Sequence, residues 1–326
     1  MIGFGLIGAG LIGQRRASCI SSLDKLVAVH DINLENSEQV ARANNSKVVQ
    51  DYREILNNPE INAVCVATPH DSLARIGTEV LNSGKHLLLE KPGAIHLSEL
   101  MSLKELSAFT SKSLRVGYNH RYHPSIMKLK QILTTTDHGG VIYLRARYGH
   151  GGRLGYEKEW RMNKSISGGG ELIDQGSHLI DLSNFLVGNS NLLFADLSTF
   201  FWASEVEDNA FLLLENNFGV KSYLHASCTE WKNLFSIEVY CRKSKFEIAG
   251  LGGSYGVEKL TEFLMPPEMG PPKIIEHNFE GADVSWALET KDFINEILTG
   301  EPISTNIDDA VATFSIIESA YNWEDK

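Results

Sequence analysis

Cysteine is scarce in this chain of 326 residues, which contains only Cys19, Cys65, Cys228 and Cys241. The four form no Cys-x-x-Cys pair, and their spacing is typical of neither a zinc site nor a disulfide framework. We therefore expect free thiols in a reducing compartment and no bound metal.

Long apolar runs and excess positive charge are also missing. No apolar run approaches the roughly 20 residues that span a bilayer, and the first thirteen residues hold five glycines and no basic leader, unlike a signal peptide. The formal net charge of −11 opposes binding to nucleic acid or to anionic lipid. We expect a cytoplasmic protein that binds neither nucleic acid nor membranes.

The length predicts two domains, because one hydrophobic core rarely grows to 326 residues. In residues 1–121, short apolar runs alternate with helix-like stretches, which predicts a doubly wound parallel sheet with helices on both faces. We expect strands at 2–7, 25–31, 63–68, 86–90 and 114–118, and helices at 37–43, 52–57, 71–83 and 98–111. Asn33 and Ser98 are expected N-caps, and Gly84 is an expected helix end.

Residues 122–326 have a different pattern, in which β-like runs follow one another directly. Runs at 141–148, 210–215, 220–229 and 236–241, joined by turn residues, predict an antiparallel sheet. Helices are expected at 125–133, 171–186, 285–298 and 308–323, and the proline-rich segment 266–272 is expected to be a surface loop.

A glycine-rich turn, Gly8-Ala9-Gly10-Leu11-Ile12-Gly13, follows the first predicted strand. Gly-x-Gly-x-x-Gly alone is a weak signal, but after a strand and before a helix it predicts a dinucleotide site. Gly8 permits the tight turn, Gly10 lets the backbone approach a pyrophosphate, and Gly13 allows the helix to pack closely. We expect the turn, including Leu11 and Ile12, to bind the cofactor pyrophosphate.

Asp31 ends the second predicted strand, about twenty residues beyond the glycines, where a carboxylate can accept hydrogen bonds from ribose hydroxyls. A carboxylate there repels a 2′-phosphate, so NAD is predicted rather than NADP. Arg15 and Arg16 could reach a phosphate, although a solvated helix face is the better interpretation of both.

Ligands of an open parallel sheet bind outside the carboxyl ends of its strands. Three such ends carry polar groups: Thr68-Pro69-His70, Glu90-Lys91-Pro92 and Asn119-His120-Arg121. Lys91 could stabilise alkoxide character on a substrate hydroxyl during hydride transfer. A lysine after a strand is also commonly a solvated loop residue.

Asp174 and His178 lie four residues apart in the segment Gly168–His178, so on an α-helix they would share one face. His178 suits the removal of a hydroxyl proton, because its ordinary pKa is near neutrality. The pair could equally be half of a metal site or a surface contact.

Together these motifs resemble the Gfo/Idh/MocA family of sugar and cyclitol oxidoreductases. The resemblance covers essentially the whole chain and rests on GLIGAGLIG, VATPHDSL, GKHLLLEKP, VGYNHRYHP and SGGGELIDQGSHLIDL. It implies a Rossmann domain followed by an α/β domain whose large, mostly antiparallel open sheet commonly mediates homodimers or homotetramers.

The resemblance also implies an active site formed by the lysine of the EKP motif and an Asp-x-x-x-His pair. The matching positions are Lys91, Asp174 and His178, with His178 as the general base, Lys91 beside the reacting hydroxyl, and Asp174 as a positioning group. Thr68, Pro69, His70, Glu90 and Lys91 are expected to contact the cofactor.

The expected substrate is a sugar, a nucleotide sugar or a cyclitol. Asn119, Arg121, Trp160 and Arg161 are expected to contact it together with the three catalytic residues. Arg145, Arg147, Arg153 and Lys158 could help to hold an anionic substrate, or could belong to an oligomer interface or a solvated surface. Trp160 could stack on a sugar ring or anchor its loop.

Two other functions remain open at this point. The fold also serves in dinucleotide-binding regulators without turnover, and in NAD-dependent glycosidases that oxidise the sugar transiently. The presence of Lys91, Asp174 and His178 argues against the regulator.

Overall fold

The computed structural model describes residues 1–268, 270–301 and 306–323. Its strands are β1 Gly3–Ile7, β2 Lys25–His30, β3 Lys47–Val48, β4 Ala63–Val66, β5 His86–Glu90, β6 Leu114–Gly117, β7 Val141–Gly149, β8 Ser190–Ser198, β9 Asn209–Asn216, β10 Lys221–Ser227, β11 Leu234–Cys241, β12 Ser244–Ala249, β13 Glu258–Leu264 and β14 Lys273–Phe279. Its α-helices are α1 Leu11–Leu23, α2 Leu34–Asn44, α3 Arg53–Asn57, α4 His70–Asn82, α5 Leu97–Thr110, α6 Pro124–Thr135, α7 Lys164–Ser167, α8 Ser177–Val187, α9 Ser285–Thr299 and α10 Ile307–Tyr321.

The chain forms two compact units. The first contains Met1–Tyr118 and Trp286–Val311, and the second contains Asn119–Ser285 and Ala312–Lys326. The predicted boundary between residues 121 and 122 would put all of α9 in the second domain. In the structure, α9 from Trp286 onward belongs to the first unit.

The sheet of the first unit is parallel throughout, with strand order β3-β2-β1-β4-β5-β6. This is the order of the dinucleotide-binding doubly wound fold. Every residue of β1 and β4 is buried, as expected for strands covered on both faces. The predicted parallel sheet is confirmed; β3 was missed, because a strand of two residues carries no periodicity.

Two of the three predicted helix signals are confirmed. The Asn33 side chain accepts a hydrogen bond from the Glu35 N–H at the start of α2, and Gly84 follows α4 with a φ of +76°. The N-cap expected at Ser98 is wrong. Helix α5 begins one residue earlier, where the Glu99 carboxylate accepts from the backbone N–H of His96 at 3.1 Å.

The second unit contains an eight-stranded sheet of order β14-β13-β12-β11-β7-β10-β9-β8. All neighbours are antiparallel except β7 and β10, which run parallel at its centre. The predicted, mostly antiparallel sheet is confirmed, while β8, β12, β13 and β14 had not been predicted as separate strands. The segment 266–272 joins β13 to β14, and residue 269 lies outside the described residues.

The helix expected at 171–186 is only partly correct. Leu172–Gly176 is a single π-helical turn, and the α-helix α8 begins only at Ser177. A π turn hydrogen-bonds from residue i to i+5 and is wider than an α turn. The four-residue spacing of Asp174 and His178 therefore does not correspond to one α-helical turn.

A buried arginine occupies the centre of the first unit, which corrects the expectation of a solvated Arg16. The Arg16 guanidinium donates to Glu90 Oε1 and to Glu289 Oε2, both at 2.6 Å, and is fully buried. Its Cζ lies 4.5 Å from the centroid of the Trp286 ring. Arg15, the next residue along α1, is exposed as expected.

Helix α9 carries a row of carboxylates toward this unit. Glu289, Asp292 and Glu296 follow a spacing of three and four residues, which puts them on one helical face. Arg115 on β6 donates to Asp292 Oδ2 at 2.9 Å and to Glu296 Oε2 at 2.5 Å. Two buried arginines therefore bind a helix that lies about 170 or more residues away in sequence.

We expect Arg16→Met to lower the free energy of unfolding by about 3–5 kcal/mol, because the variant keeps most of the side-chain volume but leaves two carboxylates buried without their cation. Urea unfolding followed by circular dichroism measures the loss. Arg15→Met on the same helix is the control, with an expected change within about 0.5 kcal/mol. Equal effects of the two variants would contradict the structural role of Arg16.

Candidate active site

The glycine turn has the geometry that a pyrophosphate site needs. Gly8 has a φ of +93°, and a Cβ added there would lie 2.5 Å from the Ala67 carbonyl oxygen. A Cβ on Gly13 would lie 2.0 Å from the Gly8 oxygen, whereas a Cβ on Gly10 would meet no atom within 4 Å. Gly8 and Gly13 therefore permit the backbone path, and Gly10 leaves open space against the backbone.

Helix α1 begins within this turn, at Leu11, and its N-cap residue Gly10 makes no side-chain cap. No acidic residue occupies the first turn. The free N–H groups and the positive end of the helix dipole are therefore available to an anion.

Asp31 has a partner that the sequence did not indicate. Its Oδ2 accepts from the backbone N–H of Ala9 at 2.6 Å, and its Oδ1 accepts from the Asn33 N–H at 2.7 Å. The carboxylate thus fixes the glycine turn to the end of β2. Its role toward a ribose stays a prediction.

The segment after β4 leads into α4. Pro69 is the N-cap residue of α4, and His70, its first residue, is buried. Thr68 Oγ1 accepts from Ser72 Oγ at 2.9 Å. This hydrogen bond gives the segment 68–72 a defined conformation at the carboxyl edge of the sheet.

Lys91 immediately follows β5, whose last residue is Glu90. Because Glu90 is held by the buried Arg16, the backbone that carries Lys91 is fixed from the interior of the first unit. The structure thereby joins the end of β5 to α1, the helix that follows the glycine turn.

Asp174 and His178 are both buried in the second unit, on the π turn and on α8 respectively. Asp174 Oδ2 accepts from Arg161 Nε at 3.2 Å. Arg161 also lies against the face of Trp160, with 4.5 Å between its Cζ and the ring centroid. Three of the predicted site residues of this unit are therefore adjacent.

The His178 imidazole stacks on another histidine, His120. Their ring centroids are 3.7 Å apart and the planes differ by 21°. The sequence motif Asn119-His120-Arg121 had predicted no catalytic role for His120.

Asn119 and Arg121, both expected to contact substrate, have buried protein partners. Asn119 Nδ2 donates to Ser285 Oγ at 2.8 Å. Arg121 donates from Nε and Nη2 to the two carboxylate oxygens of Asp181, at 2.8 and 2.6 Å. A substrate role for either stays a prediction, and the ion pair gives Arg121 a structural role in the second unit.

Two of the candidate anion-binding arginines are paired with carboxylates. Arg145 contacts Glu238 at 2.7 Å, and Arg153 contacts Glu159 at 2.6 Å. Both side chains are largely exposed. These pairs reduce the positive charge that either arginine can offer to an anionic substrate.

A buried carboxyl, Glu171, was missed because it reads in sequence as part of an amphipathic helix. Its Oε1 accepts from the Tyr156 hydroxyl at 3.3 Å and lies 3.6 Å from His150 Nε2. The Gly152 N–H donates to His150 Nδ1 at 3.0 Å, so Nδ1 is an acceptor and the neutral ring carries its proton on Nε2. Burial, reinforced by the nearby Asp174 charge, raises the pKa of Glu171.

Glu207, which was also missed, anchors the N-terminal end of the π turn that carries Asp174. Its Oε1 accepts from the N–H groups of Gly170 and Leu172, each at 3.0 Å, and from the Tyr321 hydroxyl at 2.8 Å. A Cβ on Gly170 would lie 2.0 Å from the Glu207 carbonyl oxygen. The consecutive glycines therefore allow the chain to approach Glu207 closely.

Comparison with family models identifies the chain. The oxidoreductase family with an NAD-binding Rossmann fold, Gfo/Idh/MocA, matches residues 2–118, and the Gfo/Idh/MocA C-terminal domain matches residues 126–247. The two units are those of a Rossmann-type oxidoreductase. The chain belongs to the Gfo/Idh/MocA family, as its motifs predict.

Two curated relatives have named activities. Glucose-6-phosphate 3-dehydrogenase of Bacillus subtilis (strain 168) is 30% identical over 160 residues, which are 48% of this chain and 45% of that protein. Inositol 2-dehydrogenase of Gluconacetobacter diazotrophicus is 30% identical over 153 residues, 45% of either chain. The chain thus matches slightly less than half the length of these relatives.

Solved structures share the fold over nearly the full length. Levoglucosan dehydrogenase in complex with NADH is 21% identical, with a TM-score of 0.87 over 98% of this chain and 97% of that one. An NADPH-dependent oxidoreductase described for Desulfitobacterium hafniense gives a TM-score of 0.88 at 20% identity, over 98% of this chain and 94% of that one.

Within the described ranges of the present chain, no helix has the length and hydropathy needed to cross a membrane.

We expect Glu171→Gln to stabilise the protein relative to the wild type increasingly as pH rises above about 5. A carboxyl whose folded pKa is raised takes up a proton on folding, so its favourable contribution is complete below the unfolded pKa and is lost as pH rises. Melting temperatures of both proteins between pH 5 and pH 8 measure the difference. The exposed Glu205→Gln is the control, and a constant offset between wild type and Glu171→Gln would contradict the burial of a protonated carboxyl.

Proposed function

We propose that this chain is an NAD-dependent oxidoreductase that transfers a hydride between a secondary alcohol of a sugar, nucleotide sugar or cyclitol and the nicotinamide. The observation that carries the proposal is the presence, in one member of this family, of an open glycine turn and of the buried pair Asp174 and His178. The joint presence of Lys91, Asp174 and His178 argues against a binding protein without turnover.

The residues of the first unit fit a dinucleotide. The space beside Gly10 and the uncapped start of α1 suit a pyrophosphate. Asp31 brings a negative charge to the end of β2, which favours NAD over NADP. Thr68, Pro69, His70 and Glu90 complete the proposed cofactor contacts at the ends of β4 and β5.

The proposed reaction removes a hydride and a proton from one CH–OH group. NAD, held by the glycine turn and Asp31, would supply the acceptor for the hydride and its two electrons. His178 takes the hydroxyl proton, so the products are a ketone, NADH and a proton. Lys91 supplies positive charge for the oxygen as its proton leaves, and Asp174, oriented by Arg161, accepts a hydrogen bond from the substrate.

A polyol is the substrate class that suits these groups best. Asp174 and the Arg161 guanidinium offer an acceptor and donors to neighbouring hydroxyls, and Trp160 offers an apolar ring face. Curated relatives are named for sugar phosphate and cyclitol dehydrogenation. We propose the same class here, with Asn119 and Arg121 as further candidate contacts.

We propose a homodimer or homotetramer that works in the cytoplasm. The outward face of the eight-stranded sheet supports the oligomer, because it exposes aromatic side chains. Tyr223 is 57% exposed and Tyr143 is 36% exposed, and Tyr143 and Tyr240 stack with 4.3 Å between centroids. Such a face is typical of a surface that another protein chain covers.

NAD should raise the melting temperature more than NADP at equal concentration, because a ligand stabilises the folded state in proportion to its affinity. Differential scanning fluorimetry with each nucleotide measures the two shifts, with adenosine monophosphate as the control for the adenosine half alone. A larger shift with NADP would contradict the assignment of Asp31.

Lys91→Ala and His178→Ala should each lower turnover by about a hundredfold or more, the loss expected when a charge-stabilising group or a base is removed. Turnover is NADH formation with sugars, cyclitols and nucleotide sugars tested in parallel. Lys47→Ala and His277→Ala are matched controls, since Lys47 is exposed on β3 and His277 pairs with Glu262 on the sheet. Near-normal rates in both active-site variants would overturn the assignment.

The wild type also separates this proposal from the other functions of the fold. Absence of NADH with every polyol, despite a melting shift with NAD, would indicate a regulator. Release of nitrophenol from a nitrophenyl glycoside without net NADH would indicate a glycosidase.

A further inference from the structure

His120 stacks the face of its ring on that of the proposed base, His178. The 3.7 Å stack leaves both ring nitrogens of His120 to other partners. Nδ1 lies 3.1 Å from Asn119 Oδ1, and Nε2 lies 3.0 Å from the Tyr148 hydroxyl. The position of the His120 proton therefore depends on which of its two nitrogens donates and which accepts.

An acidic group fixes the direction at one end. Ser285 Oγ donates its only hydrogen to Asp283 Oδ1 at 2.6 Å, because an ionised carboxylate can only accept. Ser285 Oγ must then accept from Asn119, which identifies the nitrogen of that amide and turns its oxygen, Oδ1, toward His120. His120 Nδ1 is consequently the donor and carries the proton.

The Tyr148 hydroxyl completes the chain at the other end. With the His120 proton on Nδ1, the neutral ring has a lone pair on Nε2, which accepts from Tyr148. Burial, together with Tyr255, raises the pKa of Tyr148 well above its usual value, so this donor stays protonated. A second proton on His120 would meet the Tyr148 hydrogen, and charging His120 therefore requires that hydroxyl to turn away.

The chain runs from Tyr148 through His120, Asn119 and Ser285 to Asp283, and all five residues belong to the second unit. Further titratable groups near this chain include His123, edge-on to His120 with 5.6 Å between centroids, and its partner Glu258. Tyr255 packs against Tyr148, and the charges of Asp174 and Glu171 also raise the pKa of Tyr148; Arg161 pairs with Asp174.

We infer that His120 is a positioning residue for His178, held as a neutral Nδ1–H imidazole by the hydrogen-bond chain to Asp283. The inference rests on the proposed role of His178 as the base. A neutral ring face attracts a cation, whereas two charged imidazoles at this distance repel. His120 thus fixes the His178 ring and accommodates the charge that His178 gains with the substrate proton.

Nitrogen-15 NMR of the histidine side chains tests the tautomer without any ligand. Spectra of the labelled full chain, with His120 assigned by its loss in His120→Phe, should show a protonated Nδ1 and an unprotonated Nε2 from pH 8 down to the pH at which His178 becomes charged. An Nε2–H tautomer, or protonation of His120 before His178, would overturn the inference.

Ser285→Ala removes the link that orients Asn119. We expect this variant to lose the exclusive Nδ1–H tautomer of His120. Ser198→Ala is the matched control, since Ser198 Oγ also donates to an aspartate two residues earlier, Asp196, outside the chain. An unchanged His120 spectrum in folded Ser285→Ala would show that Asp283 does not set the tautomer.

A kinetic measurement adds the functional consequence. His120→Phe keeps a neutral ring, so the acid limb of the kcat profile should stay in place. In Ser285→Ala the acid limb should move to lower pH by about one unit, because a positive charge on His120 lowers the pKa of the neighbouring His178. Equal profiles in wild type and Ser285→Ala would contradict the tuning of His178. If the wild type formed no NADH with any polyol, the proposed function would fail, while the tautomer measurement would still decide the His120 chain.

Discussion

The buried guanidinium of Arg16 is the constraint around which the first unit is built. A charge taken out of water is costly unless carboxylates surround it, and here Glu90 and Glu289 lie within 2.6 Å. Glu90 is the last residue of β5 and directly precedes Lys91. Arg16 lies on α1, the helix that begins in the glycine turn, and Glu289 lies on α9. The two ion pairs of Arg16 therefore connect the glycine turn, the backbone at Lys91 and helix α9.

The second unit uses carboxylates in the same way to hold polar segments in place. Glu207 receives three hydrogen bonds at the start of the π turn that carries Asp174. Asp283 orients the chain of bonds that ends at His120 and Tyr148. In each case a carboxylate accepts hydrogen bonds from buried donors, and these bonds support the segments that carry Asp174 and His120.

The secondary structure that depends on local sequence patterns could be predicted, whereas ion pairs between residues far apart in the sequence could not. Alternating apolar runs predicted the parallel sheet, and Gly8, Gly13 and Asn33 have the predicted backbone roles. Arg16 looked like a solvated residue because its partner Glu289 lies 273 residues away. The sequence of the π turn has the same pattern as an α-helix. The environments of Glu171 and His120 depend on residues that only the fold brings together. Motif resemblance pointed to Lys91, Asp174 and His178, which spacing alone left open.

Hydride transfer is the central claim, and isotope transfer measures it most directly. The wild type is incubated with NAD and sugars or cyclitols that carry deuterium at every carbon-bound position, and the nicotinamide is analysed by mass spectrometry. We predict that one deuterium per ketone formed accumulates in the reduced nicotinamide. Formation of ketone without deuterium in the nicotinamide, or the absence of both from every polyol, would contradict the account.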